Sequence, residues 1–296
     1  MLYRSYTFIL TGALFAAALS GCGTTPAAVS SADAQKAIVA IERQHEAAVG
    51  VSLRDESGKG LLEWRSRERF PMASTVKALL CARVYEAGLQ NKSAEIGSVA
   101  VVSHSPVYGK ADPKTVVTLG EACHAALTQS DNRATNFIFS LTGGPKALTA
   151  WLRSKGDTTT RSDRIETDLN LSGPGEYRDT TTPSNASLNW QRLDRELPAA
   201  ARSQWLSELA SNRMADQLFR RTLPEGWTIH DRSGSGSDAY GTSRAVHAIL
   251  VTDQGKRYYA ALHLKAKADA TPAQRDAILQ QVIDIVYDRL IQARIN

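Results

Sequence analysis

Metal-binding spacings, nucleotide loops and long apolar segments are scarce in this chain of 296 residues, and each scarcity closes a class of function. Its six histidines are scattered. None makes an H-x-H or H-E-x-x-H spacing, so no metal is expected. Neither G-x-G-x-x-G nor a P-loop occurs, so no nucleotide and no other cofactor is expected. The net charge is only +5. It is spread along the chain, which argues against nucleic acid as a partner. Past residue 22 nothing is long and apolar enough to span a bilayer. Cysteine is rare as well, with three in all: Cys22, Cys81 and Cys123. No internal repeat is visible.

What remains is a globular composition, 43% hydrophobic and 22% charged, in a length ample for one large domain or two lobes. Residues 1–21 read as an export signal. Arg4 is their only charge, the run Thr7–Leu19 is apolar, and small residues precede Cys22. Leu19-Ser20-Gly21-Cys22 resembles the lipobox of bacterial lipoproteins, which implies a lipid on Cys22, a membrane anchor and a periplasmic location. A plain cleavable signal with an incidental cysteine is the alternative. Residues 22–32 fit a flexible tether. Cys81 and Cys123 are then an even pair in an exported chain, which suits a disulfide or two buried thiols.

Spacing predicts a helix over Asp33–Val49 and a hairpin from Val49–Leu53 and Leu61–Trp64. Helices follow at Ser74–Ala87, from the capping box Thr118–Glu121 through Ala126, and at Asp131–Leu141, Lys146–Arg153, Ser184–Arg192 and Ser203–Ala210. Between them Gly156–Pro183 is long, polar and irregular, a pattern typical of functional loops. Strands are expected at Thr228–Asp231, Ala245–Val251 and Tyr258–Leu264. An amphipathic helix from Thr271 to Ala293 ends the chain, its apolar face carrying Ile278, Val282, Ile285, Val286 and Leu290. The fold class is therefore α/β: an α+β layer with an antiparallel sheet flanked by helices, plus an all-helical lobe. Residues 33–66 and 211–296 would form the first lobe and 67–210 the second, with a site between them. The five tryptophans suit the core or the lobe junction.

Four short patterns carry chemistry. Ser74 and Lys77, three apart at a helix start, share one face; a serine needs a partner that takes its proton, and the helix N-terminus favours an oxyanion. Ser130-Asp131-Asn132 stands at another helix start, where serine and aspartate also serve as ordinary caps. Arg232-Ser233-Gly234-Ser235-Gly236 follows a predicted strand, where a cation, hydroxyls and exposed backbone N–H groups suit a carboxylate; a Gly/Ser-rich turn is the plain alternative. Arg164-Ile165-Glu166-Thr167-Asp168-Leu169-Asn170 lies in the long loop, and Glu166 and Asn170 can hold one water if the loop curls there.

Singly each pattern is weak. In this order they resemble class A serine β-lactamases and, more loosely, penicillin-binding proteins, whose signature is S-x-x-K, S-D-N and K-T-G. Flanking stretches agree: Arg69–Ser74, Leu141–Thr149, and Arg178–Pro183, where Arg164 would pair with Asp179. The resemblance implies hydrolysis of the β-lactam amide of penicillin-type antibiotics through a Ser74 acyl-enzyme. It implies Lys77 as proton mover, Ser130 as donor to the leaving nitrogen, and Glu166 with Asn170 activating the deacylating water. Backbone N–H groups of Ser74 and Ser235 would form the oxyanion hole, and Asn132 would hold the side-chain amide of the substrate. Either Lys77 or Glu166 is the acylation base. A Cys81–Cys123 disulfide is implied too; for the oligomeric state a monomer is the default expectation. The other outcome for these motifs is a D,D-peptidase or a sensor module that is acylated without turnover.

Two departures stand out. Arg232 replaces the usual lysine, resembling the carbenicillin-hydrolysing subgroup, and a planar guanidinium is not equivalent to an ammonium. Arg244 lies further along than the pattern places it. It is a candidate second cation for the substrate carboxylate, or else a strand-edge arginine. His104 sits where an aromatic often lines the pocket rim.

Overall fold

The computed structural model describes residues 30–171, 173 and 175–295. The signal segment and Cys22 lie outside these residues. The described chain opens with helix α1, Ser31–His45, two residues before its expected start, because the Ser30 hydroxyl caps it by accepting from the Asp33 N–H. Strands β1 (Ala48–Asp55) and β2 (Gly60–Trp64) form the expected hairpin. Short strand β3, Phe70–Pro71, leads into a 3-10 turn at Ala73–Thr75 and helix α2, Val76–Glu86. Strands β4 (Ser93–Glu95) and β5 (Val116–Thr118) pair and precede helix α3, Leu119–Thr128, whose capping box is complete. Helices α4 (Asn132–Leu141) and α5 (Gly144–Ser154) follow. The long loop then contains a 3-10 turn at Asp168–Asn170 and ends in β6, Thr180–Thr181, paired with β3. Helices α6 (Pro183–Glu196) and α7 (Ala199–Ala210) lead to β7 (Thr228–Asp238), β8 (Gly241–Val251), β9 (Arg257–Ala266) and helix α8, Pro272–Ile295.

The main sheet has the order β2-β1-β9-β8-β7, with antiparallel neighbours throughout. Side chains alternate across it. Val246, Ala248 and Leu250 of β8, with Tyr258, Ala260 and Leu262 of β9, join the cluster of α1 and α8 residues on one face. On the other face Ile249 and Tyr259 join the larger cluster built on α2, α3, α4, α6 and α7. Trp190 stands at that junction, with its ring 5.2 Å from Trp205 and 5.9 Å from His247. A disulfide joins Cys81 on α2 to Cys123 on α3, with Cα atoms 5.5 Å apart.

Two expectations change. The Asp33–Val49 helix stops at His45, since Val49 already pairs with Leu264 in the sheet. The Arg232–Gly236 motif lies inside β7, not after a strand. Its serines and glycines are poor strand formers, but ladder pairing of Arg232 through Asp238 with β8 overrides local preference.

Candidate active site

Ser74 sits in the 3-10 turn just ahead of α2, held from two sides. The Met72 N–H donates to the Asp179 carbonyl of the long loop at 3.0 Å. On the other side β7 passes so close that a Cβ on Gly234 would lie 2.7 Å from the Met72 carbonyl and 2.9 Å from the Ser74 nitrogen. Only glycine admits that approach. Ala73 (φ 45°) and Ser130 (φ 58°) adopt the left-handed region that side chains rarely take. Such strain persists only where surrounding contacts enforce it, and it concentrates at working sites.

Hydrogen bonds link the candidates. Ser130 Oγ donates to Ser74 Oγ at 3.2 Å. Lys77 Nζ donates to Ser130 Oγ (3.1 Å), the Ser130 carbonyl (2.9 Å) and Asn132 Oδ1 (2.6 Å), and lies 3.1 Å from Glu166 Oε1. Among the described residues no direct Ser74–Lys77 hydrogen bond forms; the link runs through Ser130. Arg232 donates to Ser130 Oγ at 2.6 Å. Arginine and charged lysine can only donate. Ser130 therefore receives two donors and turns its one proton toward Ser74. Burial pulls the Lys77 ammonium down to about 8, opposed by the Glu166 carboxylate and aided by Arg232. An ammonium so weakened exchanges protons readily near neutrality.

Asn132 does not present a free amide, because its Nδ2 also donates to the Ser103 carbonyl at 2.9 Å. Its backbone N–H donates to the carbonyl of His104, an exposed residue. Asp131 is structural: it caps α4 at Ala134 N–H and accepts from the N–H groups of Val107 and Tyr108.

The loop brings Glu166 in as anticipated. Asn170 Nδ2 donates to Glu166 Oε2 at 2.8 Å. Glu166 Oε1 and Asn170 Oδ1 are both buried without a hydrogen-bond partner, although Oε1 has its ionic neighbour in Lys77. Arg164 pairs with Asp179 at 2.6 Å, and Asp179 Oδ1 also accepts from the N–H groups of Asp163 and Arg164. A residue that sequence reasoning missed completes the clamp. Asn136 accepts from the Glu166 N–H and donates to the Glu166 carbonyl, both at 2.8 Å. Its signal was available, since Asn136 falls one turn after Asn132 on α4, on the same face.

The β7 side differs from expectation. Arg232 is 1% exposed and faces Ser130 and the carbonyls of Ala126 and Ser233; burial lowers its guanidinium to about 10. Ser233 Oγ donates to the Met214 carbonyl. Arg244 stands opposite Ser235 in the β7–β8 ladder, but its Nε is bound to Asp276 at 2.6 Å. Arg275, also unforeseen, donates to Ser235 Oγ at 2.8 Å. Its signal was a cation three residues before Ile278, on the buried stripe of α8.

Residues 33–290 match the model of a family described as the β-lactamase enzyme family. The chain is similar to β-lactamase CARB-3 of Pseudomonas aeruginosa, 34% identical over 258 residues that cover 85% of this chain and 88% of that one. It is likewise similar to β-lactamase FAR-1 of Nocardia farcinica, 37% identical, covering 85% and 81%. Among solved structures, the chromosome-encoded β-lactamase of Vibrio parahaemolyticus superposes with a TM-score of 0.80 at 35% identity, covering 89% of this chain and 99% of that one. An ancestral class A β-lactamase gives 0.79 at 32% identity, covering 86% and 99%.

Proposed function

This chain belongs to the class A β-lactamases and hydrolyses β-lactam antibiotics, and from that premise we propose that Ser74 is its nucleophile and Glu166 its deacylating base. One observation carries the reading: the continuous series Ser74–Ser130–Lys77–Glu166, each neighbour within 3.2 Å.

In acylation Ser74 Oγ bonds to the lactam carbonyl carbon, and its proton passes to the Lys77–Glu166 pair. The oxyanion rests on the N–H groups of Ser74 and Ser235, preorganised by the tight packing of β7 on the nucleophile turn. As the carbon–nitrogen bond breaks, Ser130 gives its proton to the nitrogen and recovers one from Lys77. Arg232, held against Ser130, favours this donor role and adds positive charge behind the substrate carboxylate. In deacylation one water bridges Glu166 Oε1 and Asn170 Oδ1. Glu166 takes its proton, the water oxygen bonds to the acyl carbon, and the ester to Ser74 breaks with the proton returning to Ser74 Oγ.

Intact-mass measurement with benzylpenicillin tests the assignment. Glu166→Ala accumulates a penicilloyl adduct, and Ser74→Ala never forms one. A native chain that held the adduct without turnover would be a sensor or a D,D-peptidase. Turnover by Glu166→Ala at the native rate would remove Glu166 from the mechanism.

We further propose a penicillinase that accepts α-carboxy penicillins, on the strength of Arg232 in place of lysine. Carbenicillin should be hydrolysed at a rate comparable to benzylpenicillin, and Arg232→Lys should shift that ratio. The domain reading is residues 33–66 with 211–296 as one lobe and 67–210 as the other, with Ser74 facing β7 between them. For residues 1–32 the reading is export to the periplasm and anchoring through Cys22 as a monomer; palmitate labelling lost in Cys22→Ala tests it.

A further inference from the structure

Ser235 is exposed at the cleft edge of β7, one residue beyond the glycine packed on Ser74. Its hydroxyl accepts from Arg275 Nη1 at 2.8 Å, and the same nitrogen reaches the carbonyls of Gly236 (3.1 Å) and Ser243 (2.8 Å). Arg275 itself is 6% exposed, too deep to meet a ligand. A guanidinium has no lone pair to offer, so Ser235 Oγ cannot donate back. Among the described residues its proton has no protein acceptor. Arg244, opposite Ser235 in the β7–β8 ladder, is bound by Asp276.

We propose that Arg275 is a positioning residue for substrate selection: by donating to Ser235 Oγ it fixes that hydroxyl as a hydrogen-bond donor aimed into the cleft, where it recognises the carboxylate on the five-membered ring of a penicillin. Arg275 also ties the β7 carbonyl at Gly236 to the β8 carbonyl at Ser243, holding the strand edge at the spacing the carboxylate needs. The inference rests on the site reading above, with β7 as the carboxylate wall. It separates two jobs that the sequence merged: long-range charge comes from Arg232, and the directed hydrogen bond comes from Ser235.

The experiment compares benzylpenicillin with its methyl ester, which lacks the anionic acceptor, in wild type, Arg275→Ala, Ser235→Ala and the double variant. Arg275→Ala raises KM for benzylpenicillin by about tenfold, the scale of one directed hydrogen bond to a charged group, while kcat changes less than about twofold. Kinetics on the ester do not move. Ser235→Ala gives the same loss, and the double variant adds nothing to it. Arg275→Lys, still a donor, recovers part of the loss. Equal losses on acid and ester, or full additivity, would show a merely structural role and overturn the proposal. Wild type that fails to distinguish acid from ester would remove β7 as the carboxylate wall and the proposal with it. Wild type that distinguishes them, with Arg275→Ala unchanged, overturns the Arg275 assignment alone. If Arg275→Ala does not fold, Ser235→Ala decides: native discrimination in that variant refutes the inference.

Discussion

Replacing Asn136 by alanine should convert this enzyme from one that turns over into one that stalls after acylation. The side chain is 6% exposed and satisfies two backbone groups of one residue, the N–H and the carbonyl of Glu166, at 2.8 Å each. Each net hydrogen bond contributes roughly 1 kcal/mol, and a buried backbone group left unpaired costs about 1–3 kcal/mol. Two such groups give a loss of about 2–6 kcal/mol, moderated if water enters the space left behind. For a chain of this size that is a fall in Tm of roughly 4–24 °C. The functional consequence is sharper, because a displacement of about 1 Å at a catalytic group can cost on the order of a hundredfold. On the proposed mechanism Glu166 is the sole base of the water step but only one member of the pair that takes the Ser74 proton, and Ser74 is held separately by β7 and by the Asp179 carbonyl. Deacylation should therefore slow by about 10- to 100-fold and acylation by clearly less. Stopped-flow hydrolysis of benzylpenicillin would show a burst equal to the enzyme concentration and a slow steady state, with the adduct visible by intact mass. If kcat stays within about twofold of native while Tm falls, or if the burst itself slows as much as the steady state, the clamp does not act on Glu166 in the way argued.

Three other perturbations have definite outcomes. Gly234→Ala places a Cβ against three backbone atoms, the nearest at 2.7 Å, so the nucleophile turn must shift: acylation should fall by at least about tenfold and stability by about 1–3 kcal/mol from overpacking; native burst kinetics would contradict that packing. His263, 1% exposed, is held by burial down to about 3 from its ordinary 6.5. A base kept neutral in the fold adds no penalty above its unfolded pKa, and stability drains as pH falls from about 6.5 toward 3. At pH 5 the loss from this group is about 2 kcal/mol, so urea midpoints at pH 7 and pH 5 should differ less in His263→Gln than in the native chain; an unchanged difference refutes the assignment. Removing the Cys81–Cys123 bond, with a sequence separation of 42, should lower stability by about 4 kcal/mol on chain entropy, read as a shift in denaturant midpoint for the double Cys→Ala variant against the oxidised chain.

Much of the site was legible because its chemistry is local. Ser74 with Lys77, Ser130 with Asn132, and Glu166 with Asn170 are each within four residues, so a helix start or a single 3-10 turn suffices to bring them onto one face. Secondary structure was legible for similar reasons where caps and periodicity agreed, as at Thr118–Glu121 and along α8. It was misread where serine and glycine in β7 suggested a turn, since pairing with β8 lies outside any local window.

The sequence by itself therefore determined the candidates for nucleophile and general base, the order of the motifs and the sheet-plus-helices class, because the motif pairs are set by short-range geometry and their order by the chain itself. Only the tertiary structure decided which donors meet which acceptors. Arg232 reads as a substrate cation in the sequence, yet folding buries it behind Ser130. Arg244 reads as a second, yet α8 delivers Asp276 to it and Arg275 to Ser235. Asn136 and the Glu166 backbone are 30 residues apart. A charged side chain has several possible partners within reach of its length, and burial forces each buried donor to find one; which one is fixed by packing between elements distant along the chain.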